Sequence, residues 1–202
     1  MAECFLFWKN MGGITMKRWF KTWHLKNIIL VTLIGIVCGL IFWLMDPLYS
    51  LVTALLTPVG LAPFAGATLL GFWTMAGPLA LLVLRRPGAG LLAEFFGAAV
   101  EMLLGGIWGA ATLVSGLIQG SGSELGFALT GYRRYDWLGI SCSVITTTIV
   151  TFGWELIKQD YAGFGFWMLV AMFLVSLLSV FLFSGLLPKS IANLLQRSHL
   201  LD

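Results

Sequence analysis

Three glutamates and a glutamine, Glu94, Glu101, Glu124 and Gln119, fall within two adjacent stretches of otherwise apolar sequence. An ionised side chain at bilayer depth costs roughly 2.5 kcal/mol or more, so it faces a partner, a cavity or a substrate. Glu94 and Glu101 are seven residues apart, a spacing that sets both on one face of a helix, about 10 Å apart along its axis. On the next helix Ser115, Gln119 and Ser123 form one i, i+4 stripe, and Gly116, Gly120 and Glu124 form a second. The glycines of that second stripe admit a neighbouring backbone. Trp73, beside Thr74, Met75 and Gly77, is a mid-span indole, and a buried indole wants a hydrogen-bond partner. Carboxylate oxygens accept from an amino group or a protonated ring nitrogen, while indole faces stack on flat heterocycles and attract cations. The ligand such residues suit is small, flat, nitrogen-rich and neutral to cationic.

Depth divides these residues. Glu101, Gln119 and Glu155 are placed to line a cavity opening outward, with Trp73 as a wall and Trp154 or Trp108 as lid or interface residues. Glu94 stands between a ligand role and a structural one, and Gln119 serves equally as interhelical hydrogen-bond glue. Glu124 lies too far toward the cytoplasm and reads as the structural partner of Arg133 or Arg134.

The elements that position these groups follow from composition. The chain is 59% hydrophobic and only 10% charged, with a mean hydropathy of +0.94, well outside the range of soluble domains. Uncharged runs at 27–45, 47–84, 102–123, 137–154 and 161–188 are divided by about 20 apolar residues per span. They predict an all-α membrane protein of six transmembrane helices in one bundle. Helices are expected at 27–45, 65–84 (after an irregular piece with Pro58 and Pro63), 88–104, 108–130, 137–154 and 164–187, with a break at Gly105-Gly106. This count puts 11 of the 12 Lys and Arg residues on one side, so both termini are expected in the cytoplasm. Trp8, Trp19, Trp23 and Trp137 then belong to the cytoplasmic aromatic belt, and Trp43 or Trp167 to the outer one.

Residues 1–25 read as a cytoplasmic extension, 26–188 as the membrane domain and 189–202 as a cytoplasmic tail. Met16 before Lys17-Arg18 is an ordinary start, which makes 1–15 an upstream start or a dispensable extension. The first apolar segment is of spanning length and lacks a small-residue cleavage site, so no cleavable signal peptide is expected. Cys4, Cys38 and Cys142 have no metal or disulfide spacing, and His24 and His199 lie outside the spans. No metal, cofactor or nucleic-acid partner is expected.

The segments Phe72-Trp73-Thr74-Met75-Ala76-Gly77-Pro78, Arg85-Arg86-Pro87-Gly88-Ala89 with Glu94 and Glu101 following, and Gln119-Gly120-Ser121-Gly122-Ser123-Glu124 carry a family resemblance. In order and spacing they resemble the YkoE-type substrate-binding (S) components of energy-coupling factor (ECF) vitamin transporters, from about residue 26 onward. The resemblance implies an S component in a bacterial cell membrane that captures thiamine or its hydroxymethylpyrimidine precursor. It implies partners as well, a transmembrane T component and two ABC ATPase subunits, which drive toppling of the S component and inward release. No GxxxxGK[ST] loop occurs here, so energy would come from those partners. Helix 5 departs from the family pattern, carrying Trp154-Glu155 in place of tyrosine–aspartate; an aromatic and a carboxylate are kept. Gly35 and Gly39 of helix 1 correspond to the small-xxx-small interface for the T component, internal packing being the other use of such a pair.

A stand-alone secondary transporter for a cationic heterocycle would also need intramembrane carboxylates, but it would show inverted repeats and broken helices, neither of which is legible here. An intramembrane enzyme would need a nucleophile–base pair or metal ligands, and no span contains a histidine.

Overall fold

The computed structural model describes residues 23–159 and 161–198, and all regular structure among them is helical. Most of the expected N-terminal extension lies outside the described residues, with Cys4, Trp8, Trp19 and four of its basic residues. His199 and the end of the expected tail also lie outside. The helices are α1 (Leu25–Leu56), α2 (Pro63–Trp73), α3 (Ala76–Leu84), α4 (Ala89–Leu103), α5 (Ala111–Leu129), α6 (Trp137–Lys158), α7 (Phe166–Ser179) and α8 (Leu187–Arg197). α2 and α3 form one interrupted rod, and α7 and α8 another, joined through a π-helical segment at Val180–Leu186. Six rods result.

Among the described residues four stretches are long and apolar enough to cross a bilayer: Leu25–Val59, Pro63–Leu84, Trp137–Lys158 and Phe166–Arg197. α4 and α5, with 15 and 19 residues, are the rods that carry Glu94, Glu101 and Glu124. They tolerate that polarity because they are enclosed: α1 packs on α4, α4 on α5, and α5 on α6. Leu25, Leu33, Val37, Leu44, Leu51 and Leu55 of α1 are exposed, as a face toward lipid requires. Its inner stripe is Val31, Gly35, Cys38, Gly39, Phe42 and Asp46.

Gly35 and Gly39 are filled from within the chain. A Cβ on Gly39 would sit 2.6 Å from the Gly97 carbonyl oxygen and 2.7 Å from Val100 Cβ, and one on Gly35 would meet Phe96 and Ala93 of α4. The pair thus packs an internal α1–α4 seam, the other use that such a glycine pair has. Gly116 and Gly120 do the same for α4 and α5, facing Glu94, Ala98 and Leu91.

Helix 1 does not stop at residue 45. It continues through Asp46-Pro47 to Leu56 because Asp46 turns inward, where its Oδ2 accepts the Ile107 N–H at 3.0 Å. The second rod, expected as one helix, breaks at Thr74-Met75. Pro78 falls in the first turn of α3, the place in a helix that tolerates proline. The break is closed from two sides: the Thr74 carbonyl accepts from Ser184 Oγ at 2.7 Å, and the Gly77 N–H donates to Glu94 Oε1 at 2.7 Å. The π-helical segment brings Ser184 to that carbonyl, and Phe183 stacks on Phe72 with ring centroids 4.0 Å apart. The sixth rod runs on past Pro188 to Arg197, where Lys189 Nζ donates to the Tyr135 carbonyl at 3.0 Å.

Glu124 has a different partner from the one its sequence neighbours suggested. Its Oε1 accepts from the Gly90 N–H at 2.8 Å, its Oε2 from the Tyr132 hydroxyl at 2.7 Å, and the Leu91 N–H adds a longer contact of 3.4 Å. These are N–H groups of the first turn of α4, which has no side-chain cap of its own and enters from Gly88 at φ 87. The Arg133 and Arg134 guanidiniums are not its partners. Burial, then the charge of Glu124, pushes the Tyr132 phenol up, so it stays a proton donor.

Two outcomes follow in thermal unfolding of the detergent-purified protein. Gly39→Leu is expected to destabilise by roughly 1–3 kcal/mol through overpacking; an unchanged melting temperature would mean the seam is not closed. Glu124→Ala is expected to destabilise by about 3 kcal/mol, because it strands buried donors. Tyr132→Phe should cost less, since the helix N–H groups keep their acceptor.

Candidate functional site

One end of the bundle holds a cavity whose empty space, open mouth included, is about 770 Å³. Its wall is built from all six rods: the second half of α1, the length of α2, the last turns of α4 and α6, the start of α5, and Met172 and Ser176 of α7. The opposite end carries Arg85, Arg86, Arg133, Arg134 and Lys189 on the turns and helix that close the same rods.

Of the residues singled out in the sequence, the cavity brings Trp73, Glu101, Gln119 and Glu155 together. Glu94 is not on its wall; it is fully buried and closes the break in the second rod. Trp154 is also outside the wall, but its indole N–H donates to Ser115 Oγ at 3.0 Å, and Ser115 lines the cavity. It holds a wall residue in place.

The apolar part of the wall is an aromatic chain. Tyr49 lies edge-on to Trp73 (centroids 5.8 Å apart, planes at 70°) and tilts against Trp108 at 5.3 Å. The Trp73 indole N–H, the Thr112 hydroxyl and Glu101 Oε1 are buried with no hydrogen-bond partner, and all three residues line the cavity. Buried polar atoms without partners are rare in folded proteins; three lie on this one cavity wall, while others, among them Glu94 Oε2 and Asp46 Oδ1, lie off it.

Glu101 differs from the other buried glutamates. Glu94 and Glu124 each accept from helix N–H groups, whereas no backbone N–H among the described residues donates to the Glu101 carboxylate. Its neighbour is Asp46, also buried: a Cβ on Gly106 would meet Glu101 Cγ at 3.0 Å and Asp46 Oδ2 at 3.1 Å. At the mouth, Lys158 Nζ lies 3.6 Å from Glu155 Oε1 and 4.2 Å above the Trp108 ring centroid. Burial pushes the Tyr161 phenol up to about 12, Tyr49 and Glu155 adding to it, so it stays a neutral hydroxyl.

Sequence reasoning missed Tyr49, Asp46, Thr112, Lys158 and Tyr161. Asp46 had a signal, as a lone charge inside the 27–84 apolar stretch. Lys158 is one helical turn from Glu155 and so shares its face. Tyr49 and Thr112 carried none, since only the tertiary fold brings them to the wall. Among the described residues no three His, Cys, Asp or Glu side chains gather as metal ligands.

Comparison with known proteins agrees with this architecture. Residues 26–150 match the family described as "ABC-type cobalt transport system, permease component". The chain is 28% identical over 182 residues to the "Putative HMP/thiamine permease protein YkoE" of Bacillus subtilis (strain 168), covering 90% of this chain and 89% of that one. A crystal structure described as an S-component of an ECF transporter superposes with a TM-score of 0.83 at 27% identity, covering 89% of each chain. A multi-pass membrane protein with this helix order and this cavity end, the chain belongs to the family described as "ABC-type cobalt transport system, permease component", and it is similar in sequence to YkoE and in structure to an ECF S-component.

Proposed function

We propose that this S component captures thiamine or its hydroxymethylpyrimidine precursor in the cavity. It then delivers the ligand inward when docked on a T component driven by two ABC ATPases. In this reading all six rods span the bilayer, the cavity opens outward, and both termini lie in the cytoplasm with the arginine-rich end. The observation that carries the proposal is Glu101: a buried carboxylate with an unpartnered oxygen on an aromatic wall. An aminopyrimidine supplies a donor for that oxygen and a flat ring for Trp73 and Tyr49 to contact, and a thiazolium supplies a positive charge that the indole of Trp108 and the carboxylate of Glu155 attract. Gln119 and Thr112 offer neutral hydrogen bonds to the ring nitrogens or the hydroxymethyl group. The relative's name, putative HMP/thiamine permease, agrees with the ligand chemistry.

A broken helix is one mark of an ion-coupled carrier, and this bundle has one. Its freed groups, however, are bonded by Glu94 and Ser184 and Glu94 does not reach the cavity wall, so the break supplies no ion site to the pocket.

Isothermal titration of the purified protein with thiamine and with hydroxymethylpyrimidine tests the assignment. Glu101→Gln is expected to weaken binding of the preferred ligand roughly 10- to 100-fold, the worth of one charge-assisted hydrogen bond, with little change in melting temperature. Equal affinities for the variant and the parent would remove Glu101 from the site.

A further inference from the structure

The mouth of the cavity contains a cation that belongs to the protein. Lys158 sits in the last turn of α6, where a lysine ordinarily points to solvent and complements the helix C-terminus. Here its side chain is only 18% exposed and lines the cavity. The ammonium is 4.2 Å above the Trp108 ring centroid and 3.6 Å from Glu155 Oε1, and its charge acts on Glu101 as well. An indole face with a carboxylate beside it is the arrangement that recognises an organic cation. Trp108 is itself fixed by Tyr49 at 5.3 Å, so the ring is a set platform and the lysine a flexible tether.

We propose that Lys158 is a built-in competitor for cationic ligands: its ammonium occupies the Trp108–Glu155 position that a ligand's positive charge must take, and it withdraws when that charge arrives. The inference rests on the reading of the cavity as a site for a flat, cationic or neutral heterocycle. Exchange of one cation for another keeps Glu155 and Trp108 partnered throughout, whereas a neutral ligand leaves Lys158 where it is. Lys158 therefore sets the balance between charged and uncharged ligands, lowering affinity for the former alone. Its flexible four-carbon stem lets the ammonium swing aside.

Tryptophan-fluorescence titrations of the wild type, Lys158→Met and Lys158→Arg with thiamine, hydroxymethylpyrimidine and tetramethylammonium chloride test this. Lys158→Met is expected to bind thiamine about tenfold more tightly, the scale of one partly desolvated cation–π contact. Its affinity for neutral hydroxymethylpyrimidine should change less than about twofold on the same scale. Lys158→Arg, which keeps the competing charge, should stay near the wild type. Unchanged or weaker thiamine binding in Lys158→Met, or equal tightening for both vitamin-type ligands, overturns the proposal. If the wild type binds neither of them, the functional reading falls, and the lysine is judged on tetramethylammonium alone. Stronger quenching of Lys158→Met than of Lys158→Arg by that cation upholds the competitor role, and equal quenching removes it.

Discussion

A carboxylate inside a hydrocarbon slab has to find hydrogen-bond donors, and most of this structure is arranged around that requirement. In a helical bundle the free donors are at helix N-termini and turns, where the first N–H groups have no intrahelical acceptor. Glu94 takes one at the start of α3, Glu124 takes those at the start of α4, and Asp46 takes one in the turn before α5. Each pairing answers two needs together, since neither a buried carboxylate nor a buried N–H is tolerable alone. The short rods α4 and α5 and the broken second rod keep their polar groups bonded inside the bundle in this way. Long lipid-facing helices on their outer sides complete the enclosure.

Glu101 stands apart because, among the described residues, no backbone N–H is bonded to its carboxylate. It lies on the same face of α4 as Glu94, two turns on, where the rods diverge and aromatic side chains from α1, α2 and the turn before α5 take the place of backbone. The fold thus separates structural polarity from receptive polarity along one helix. At one depth the carboxylate is consumed by the architecture, and at the next it faces open space with Trp73, Thr112 and Gln119 around it. The arginine-rich turns lie at the other end, leaving the cavity end with Lys158 as its cation among the described wall residues.

The six rods were legible because lipid-facing helices must be apolar and turns at one face collect arginines. The boundaries were less so. Asp46-Pro47 looks like a helix end to any local reading, and only the turn at Ile107 reveals that the charge has a partner inside. The break at Thr74-Met75 had a local signal in Pro78, but its stability depends on Ser184, 110 residues away. Glu124 was rightly separated from the pocket by depth, yet its partner came from the start of α4 rather than from the arginines beside it. Gly35 and Gly39 show the limit of motif reading: their spacing signals close helix packing without saying which helix is packed. For the cavity, residue chemistry found Trp73, Glu101, Gln119 and Glu155. It could not find Tyr49 or Thr112, which are ordinary residues made significant by what stands opposite.

The central claim is that the cavity receives a flat, nitrogen-rich ring against Glu101 and the tryptophans. Intrinsic tryptophan fluorescence of the ligand-stripped protein, titrated in parallel with thiamine, hydroxymethylpyrimidine and riboflavin, tests it most directly, because Trp73 and Trp108 are on the cavity wall. The account predicts saturable quenching by thiamine or the pyrimidine and none by riboflavin, whose tricyclic ring is larger than the single rings that the aromatic wall is read to hold. Saturation by riboflavin alone, or by none of the three, would contradict it.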